Sequence, residues 1–412
     1  MKQIQSPVAL PFTGKFSKSI FSPFGTILLG VVLLGSVARG SAQEGTVIAW
    51  GDNRHGQATV PAGLNHVIAI SAGEWHSLAL KDDGTVVAWG ADNSGQGSVP
   101  PDLSNVVVIA AAGFHNLALK SDGTVTVWGQ NDFGQCNVPA GLSNVVAISG
   151  GWTHSLALKA DGTVIGWGNN DQGQATLPDG LSHVVSIKSG EYHNLALKAD
   201  GTVVAWGWNG VGQCNVPDDL NNVVAISASG LHSLALKADG TVVAWGYNEV
   251  GQCDVPADLD DVVALAGGLE HNLALKSDGT VSGWGSNEAW ANSECQFIGS
   301  PDCVREPCGQ INIPAGLGNV MAIAAGDFHS LALKTDGTAS SSFLLSNPTC
   351  VENTFRASAE TQSGRVYELQ YNDSLMTTNW ISCPLVPGTG AERVFMDSTM
   401  GTATRFYRLR RW

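Results

Sequence analysis

Seven histidines occupy one position of a recurring pattern: His76, His115, His154, His193, His232, His271 and His329. A ring of imidazoles is a candidate metal centre, because neutral imidazole is a common ligand for zinc, copper and iron. Seven equivalent ligands suit no common coordination geometry, however, and a residue shared by every copy of a repeat is expected to build the repeat. Each imidazole is therefore expected to satisfy backbone groups at the end of its own strand. Four are followed by serine, in His76-Ser77, His154-Ser155, His232-Ser233 and His329-Ser330. Neighbours along a strand point to opposite faces, so these pairs cannot act as nucleophile and base. Asp92-Asn93 and Asn169-Asn170-Asp171 offer oxygen ligands without the spacing or charge of a calcium loop, and turn formation accounts for them. The sequence has no phosphate loop and no nucleotide fingerprint. The reading is of a chain with no catalytic residue, no metal ligand and no cofactor, and so not an enzyme.

Other chemistry lies in what differs between the copies. Trp75, Phe114, Tyr192 and Phe328 immediately precede the repeat histidine, and Trp152 stands one residue earlier in its own copy. Phe133, Trp208 and Tyr247 lie in loops after a recurring Trp-Gly. Other copies carry residues other than Phe, Tyr or Trp there, such as Thr153, Leu231 and Glu270, so the scaffold does not require a ring. If both loop sets open on one rim, these eight aromatics form an exposed circle beside Glu74, Glu191, Glu270 and Asp327. Aromatic anchors with a charged surround suit a protein interface, and loops on a rigid scaffold commonly carry function. The competing reading packs several of the rings beneath neighbouring loops.

The elements that must position these residues recur with a fixed period. Gly-Thr-Val followed by Trp-Gly starts at Gly45, Gly84, Gly123, Gly162, Gly201, Gly240 and Gly279, every 39 residues. A decayed copy begins at Gly337, 58 residues further on, and the excess is an insertion at about 286–308. In the second unit, Thr85 to Gly90 is a short β-branched strand. Val106 to Ala111 is a continuous apolar run, read as a strand buried on both faces. His115 to Lys120 alternates and reads as a third strand. Asp122-Gly123 suits a two-residue type I′ hairpin, and a short fourth strand near Gly-Gln-x-x-Val-Pro is a further candidate. One unit cannot cover both faces of its own sheet, but radial stacking of seven can. The first Trp-Gly strand, Thr46 to Gly51, has no preceding partner, and the last Leu-Ala-Leu-Lys strand, at Leu331, has no intact following one. Pairing the two closes a ring and removes both edges. The fold class expected is all-β: a seven-bladed β-propeller over residues 45–338, followed by a linker at 339–348 and a small β-rich module at 349–412.

Residues 72–96, AGEWHSLALKDDGTVVAWGADNSGQ, resemble a regulator-of-chromosome-condensation (RCC1) repeat. The short unit with Gly-Gln-x-x-Val-Pro is similar to the secreted bacterial branch of that family, which includes the type II β-lactamase inhibitory propellers. The resemblance implies a propeller that binds a protein across one face, with an exported enzyme as one class of target. It also brings a guanine-nucleotide exchange activity into view as a weaker alternative, alongside an enzyme sited at the channel mouth. The matching residues are scaffold residues and do not specify the partner.

The N-terminus reads as a secretory leader. Lys15 and Lys18 precede an apolar stretch, Ile27 to Val37, and Gly40-Ser41-Ala42 supplies small residues at a cleavage point after residue 42. The stretch is shorter than the ~18–20 residues of a membrane span, which disfavours an anchor. Localisation is then secreted, periplasmic or at the cell surface, with no membrane association after cleavage. The net charge of −15 becomes −19 without Lys2, Lys15, Lys18 and Arg39, which disfavours a nucleic-acid partner. A monomer that binds another protein is expected. Of eight cysteines, Cys136, Cys214 and Cys253 share a position after Gly-Gln and read as small fillers. Cys295, Cys303 and Cys308 are expected to staple the insertion by disulfides, a zinc site being the weaker reading, and Cys350 and Cys383 could pair in the tail.

Overall fold

The computed structural model describes residues 45–290 and 305–335 with their side chains, apart from that of Trp290, and the backbone of six strands between 346 and 411. The leader region, most of the insertion and Cys295 and Cys303 lie outside the described residues. Among those described, there is no helix.

Strand β1 (Gly45–Gly51) is followed by the first complete unit, β2 (Val67–Ala72), β3 (His76–Lys81) and β4 (Val86–Gly90). The second is β5 (Val106–Ala111), β6 (His115–Lys120) and β7 (Val125–Gly129), and the third β8 (Val145–Gly150), β9 (His154–Lys159) and β10 (Val164–Gly168). The fourth is β11 (Val184–Ser189), β12 (His193–Lys198) and β13 (Val203–Gly207). The fifth is β14 (Val223–Ala228), β15 (His232–Lys237) and β16 (Val242–Gly246). The sixth is β17 (Val262–Gly267), β18 (His271–Lys276) and β19 (Val281–Gly285). A hairpin of β20 (Glu288–Trp290) and β21 (Arg305–Pro307) frames the insertion, and β22 (Val320–Ala325) and β23 (His329–Thr335) follow. Each unit is an antiparallel sheet, and consecutive sheets pack on one another around a central channel. The architecture is a β-propeller.

The ring closes as the strand count requires. Strand β1 pairs with β23 along its whole length, from Gly45↔Thr335 to Gly51↔His329, so the seventh sheet is β22-β23-β1. That sheet packs on the first through β2 and β23, and Gly45↔Val67 links the two.

Two local expectations need correction. Val106 to Ile109 are buried on both faces as expected, although the corresponding inner strand of blades one, six and seven is partly open towards the channel. The most completely buried strand is the middle one: all seven His-x-Leu-Ala-Leu segments are buried throughout, with Leu78, Leu117, Leu156 and Leu195 fully so. The Asp-Gly connection is a three-residue turn. Gly84 N–H donates to Lys81 O and Lys81 N–H to Thr85 O, with positive φ at Gly84 but not at Asp83. This is a type I turn with a glycine bulge, and Asp83 Oδ1 fixes it by accepting from Thr85 N–H and Oγ1–H at 2.9 and 2.6 Å. No fourth strand forms at Gly-Gln-x-x-Val-Pro. Instead the glutamine carbonyl accepts from a tryptophan of the next sheet: Trp89 Nε1–H to Gln57 O and Trp167 Nε1–H to Gln135 O, both 2.8 Å.

Cys136, Cys214 and Cys253 are half-buried free thiols facing loop carbonyls such as Gln130 O and Trp208 O. Burial pushes each up to about 11, so they are inert at neutral pH. Cys308 is also a free thiol, beside Gln310 Oε1, rather than part of the staple expected of the insertion. In the tail, β24 (Ser346–Val351), β25 (Thr354–Glu360) and β28 (Glu392–Asp397) form one sheet. Strands β26 (Val366–Asn372), β27 (Ile381–Pro387) and β29 (Phe406–Arg411) form another.

Candidate functional site

The histidine belt comes first, because it holds the blades that carry the site. Each His Nε2 meets the residue after the histidine of the next sheet. His76 bonds Asn116 Oδ1 at 2.6 Å, His154 Asn194 and His232 Asn272 at 2.7 Å, and His115 bonds Ser155 Oγ at 2.9 Å. His193 reaches Ser233, His271 reaches Ser330, and His329 closes the circle on Ser77. Each serine hydroxyl or asparagine amide donates onward to a glutamine carbonyl, as in Ser77 to Gln57 O and Asn116 to Gln96 O. With its one proton committed, the serine must accept, so Nε2 carries the imidazole proton and Nδ1 is an unprotonated atom without a partner. The bond to the neighbouring side chain replaces the expected bond to each histidine's own strand. Serine does meet histidine here, but between blades and with both residues fully buried, so no substrate can reach the pair. The signal in sequence was the alternation of Ser and Asn after each histidine.

A glycine lies against most of these rings. A side chain on Gly190 would overlap the Ser229 carbonyl and the His193 ring. We expect Gly190→Ala to lower stability by roughly 1–3 kcal/mol through overpacking, read as a fall in melting temperature. An unchanged melting temperature would mean that the belt can slide.

The registers put both loop sets on one rim. Ala72↔Ser77 and His76↔Gly90 turn the chain at the same end of the sheet, and Ala91 N–H donates to Trp75 O at 2.8 Å. Gln130 to Phe114 and Trp208 to Tyr192 repeat that bond. On this rim five of the eight expected aromatics form a continuous arc. Trp75 and Phe114 meet edge-on at 5.4 Å, Phe114 and Trp152 lie 6.4 Å apart, and Trp152 meets Tyr192 edge-on at 5.2 Å. Tyr192 and Trp208 follow at 6.3 Å. A sixth ring, His55, stacks on Trp75 at 4.9 Å and was not singled out from sequence. All six are half-buried, each presenting part of its ring to solvent.

The other three do not extend the arc. Phe133 is 49% exposed on its own loop, with no ring contact among the described residues. Tyr247 and Phe328 are buried, which corrects the expected exposed circle. Tyr247 donates its hydroxyl to Glu249 Oε2 at 3.0 Å, near Glu270 and Arg305. The Phe328 carbonyl takes the Asp52 N–H beside β1, where the ring closes.

Inside the arc lies the channel mouth. The channel encloses about 290 Å³ and is lined by the inner strands of all seven sheets. Its rim ring includes Glu74, Gly113, Trp152, Glu191, Gly230 and Asp327. Trp152 Nε1–H donates to Glu74 Oε2 at 3.1 Å, joining arc to mouth. Burial and the neighbouring Asp327 and Glu191 charges push the Glu74 carboxyl far above the carboxylate range. Burial and Asp327 raise Glu191, and burial and Glu270 raise Asp327 to about 7. Glu270 is itself raised by burial, against the pull of Arg305, whose Nη2 lies 2.7 Å from Glu270 Oε1. No group of three or more His, Cys, Asp or Glu with metal-binding geometry occurs among the described residues.

The family described as "Regulator of chromosome condensation (RCC1) repeat" matches residues 67–96, 106–135, 145–174, 184–213, 223–252 and 262–289. No curated protein matches the chain in sequence. Among solved structures, Prp20p from Saccharomyces cerevisiae is 23% identical, covering 74% of this chain and 94% of its own, with a TM-score of 0.58. Human WBSCR16 is 19% identical over 71% of this chain and 100% of its own, with a TM-score of 0.53. The ectodomain of the Physcomitrella patens receptor kinase CR4 is 20% identical over 70% and 80%, with a TM-score of 0.52. At these identities the likeness is one of fold.

Proposed function

Because the chain belongs to the regulator of chromosome condensation (RCC1) repeat family, we propose that it is a non-catalytic scaffold that docks a protein partner on the His55–Trp208 rim. The observation that carries this reading is the arc itself: six contacting rings, partly exposed, at positions the repeat leaves free. Large rigid rings supply contact area at low entropic cost, and clustered aromatics are the usual energetic centre of protein interfaces. The structurally similar Prp20p is described with binding properties to Gsp1p and histones, so one protein of this fold has protein partners. The leader-like residues 1–42 support action outside the cytoplasm, where inhibition of an exported enzyme would be one use of such a rim.

Affinity capture with the full chain as bait, followed by the same capture with Trp75→Ala and Trp208→Ala, tests the reading. Each substitution is expected to weaken capture by about 2 kcal/mol, roughly thirtyfold, without loss of folding. Capture unaltered by both would reject the rim. A screen of the protein against polysaccharides and esters bears on the non-catalytic half, and turnover abolished by rim substitutions would overturn it.

A further inference from the structure

The inner strands of the blades are alike in sequence but not in exposure. Their second residue bulges out of the ladder with the middle strand, and it is valine on blades two to six. Val107, Val146 and Val185, on blades two, three and four, are 9%, 4% and 2% exposed, whereas Val263 on blade six is 40% exposed. Val224 on blade five falls between them. The repeat supplies the same side chain at the same register each time, so a cover from outside the repeat must lie over blades two to four.

These valines sit at the end of the channel remote from the aromatic rim. On β8, Val145 pairs with Lys159 beside the Asp-Gly turn, and Gly150 with Ser155 beside the rim. The chain leaves the propeller at the same far end, because β23 runs from His329, opposite Gly51, to Thr335, opposite Gly45. Residues 336–345 lead from there to the C-terminal sheets. Of these, the backbone of β27 lies against β8, at the centre of the covered sector. Both are edge strands: among the described residues β27 pairs only with β26, and β8 only with β9. Open edges call for a cover, and Pro384 and Pro387 withhold amide donors from β27, so it packs on β8 without extending a ladder. Seven arginines against six acids give Cys350–Trp412 a net charge of +1 in a chain of −15, so charge does not oppose the contact.

We propose that the apolar patch of Val107, Val146 and Val185 is the seat of the chain's own C-terminal module, which caps the far mouth of the channel through β27. The occupant is a segment of the same chain, and the seat lies on the face opposite the arc. The cap therefore blunts one side of the far mouth and leaves the aromatic rim free for a partner. The proposal does not depend on the docking reading: a chain whose rim bound nothing would still seat its module here.

Photo-cross-linking in the full chain tests the seat. The cross-linker p-benzoyl-phenylalanine replaces Leu385 in one variant and Val386 in another, because neighbours on a strand face opposite sides and one of the two must face the propeller. A third variant carries it at Ser143, an exposed residue just before β8, so that the test survives if the module tolerates no substitution. A fourth carries it at Val263, on the uncovered side. After irradiation the monomeric fraction is digested and its linked peptides are identified by mass spectrometry. Leu385 or Val386 is expected to link to peptides holding Val107, Val146 or Val185, and Ser143 to a peptide within residues 379–390, while Val263 links to neither β27 nor its flanks. The seat is overturned if none of the first three positions joins the module to blades two to four. It is also overturned if the module is captured from Val263 alone, or if links form only between two copies of the chain.

Discussion

On acidification from pH 6.5 towards 4, the propeller is expected to unfold with a net uptake of about three to four protons at pH 5–6. The seven belt imidazoles are fully buried, and burial lowers them to about 3 or 4. A base lowered in the folded state contributes stability that is complete above its unfolded value, near 6.5, and is lost as pH falls through the folded one. The raised carboxyls of Glu74, Glu191 and Asp327 act in the opposite sense: they hold protons in the folded state that the unfolded chain releases above about 4.5. Seven against three, with the raised Glu270 adding part of a fourth opposing proton, leaves about three to four protons, a slope of roughly 4–5 kcal/mol per pH unit, enough to exhaust a stability of 5–15 kcal/mol within a few units. Above pH 7 the raised carboxyls still differ, joined towards pH 8.5 by the buried thiols, which act in the same sense, so stability should decline gently and its maximum should lie near pH 7. Urea midpoints followed by tryptophan fluorescence from pH 4 to 8.5 measure this. Glu74→Gln should steepen the acid limb by about one proton, because it removes one of the opposing groups. A flat profile between pH 7 and 5 would show that the belt accepts charge.

A second large effect is expected at the closure. A chain starting at Asp52 lacks β1 and with it the buried Val47 and Trp50 and the Trp50 Nε1–Gln310 O bond of 2.8 Å. Losing a core tryptophan costs about 3–5 kcal/mol and a core valine about 1.5–3. Together these approach the whole stability of a domain. The truncation also exposes β23 as an unpaired edge, a template for association with another chain. Against a control starting at Gln43, the shorter chain should lose cooperative unfolding or self-associate, as calorimetry and sedimentation would show. Trp50→Ala alone should take the tryptophan share of that cost and remain monomeric. An unchanged, monomeric transition in the truncated chain would mean that the ring does not depend on its latch.

The 39-residue period, the Trp-Gly and Leu-Ala-Leu-Lys strands and the odd strand at each end were enough, from sequence, for a closed propeller of seven sheets. Period and closure are one-dimensional properties: they follow from which residue types recur and from the strands left without partners. The aromatic positions were legible for the same reason, since Trp75, Phe114, Trp152, Tyr192 and Trp208 break the repeat. Which rings stay accessible was not legible. Tyr247 and Phe328 look like the others in sequence, yet one lies near Arg305 of the insertion hairpin and the other beside the returning β1. His55 joins the arc, and Trp152 finds Glu74, across 20 and 78 residues of chain. The histidine belt shows the same division. Its repetition marked it as structural, but the partner of each imidazole sits 40 or more residues away on the next blade. Sequence fixes what each blade contains. Only packing the blades around an axis decides which side chains meet between them, because those contacts are set by radial geometry rather than by position along the chain.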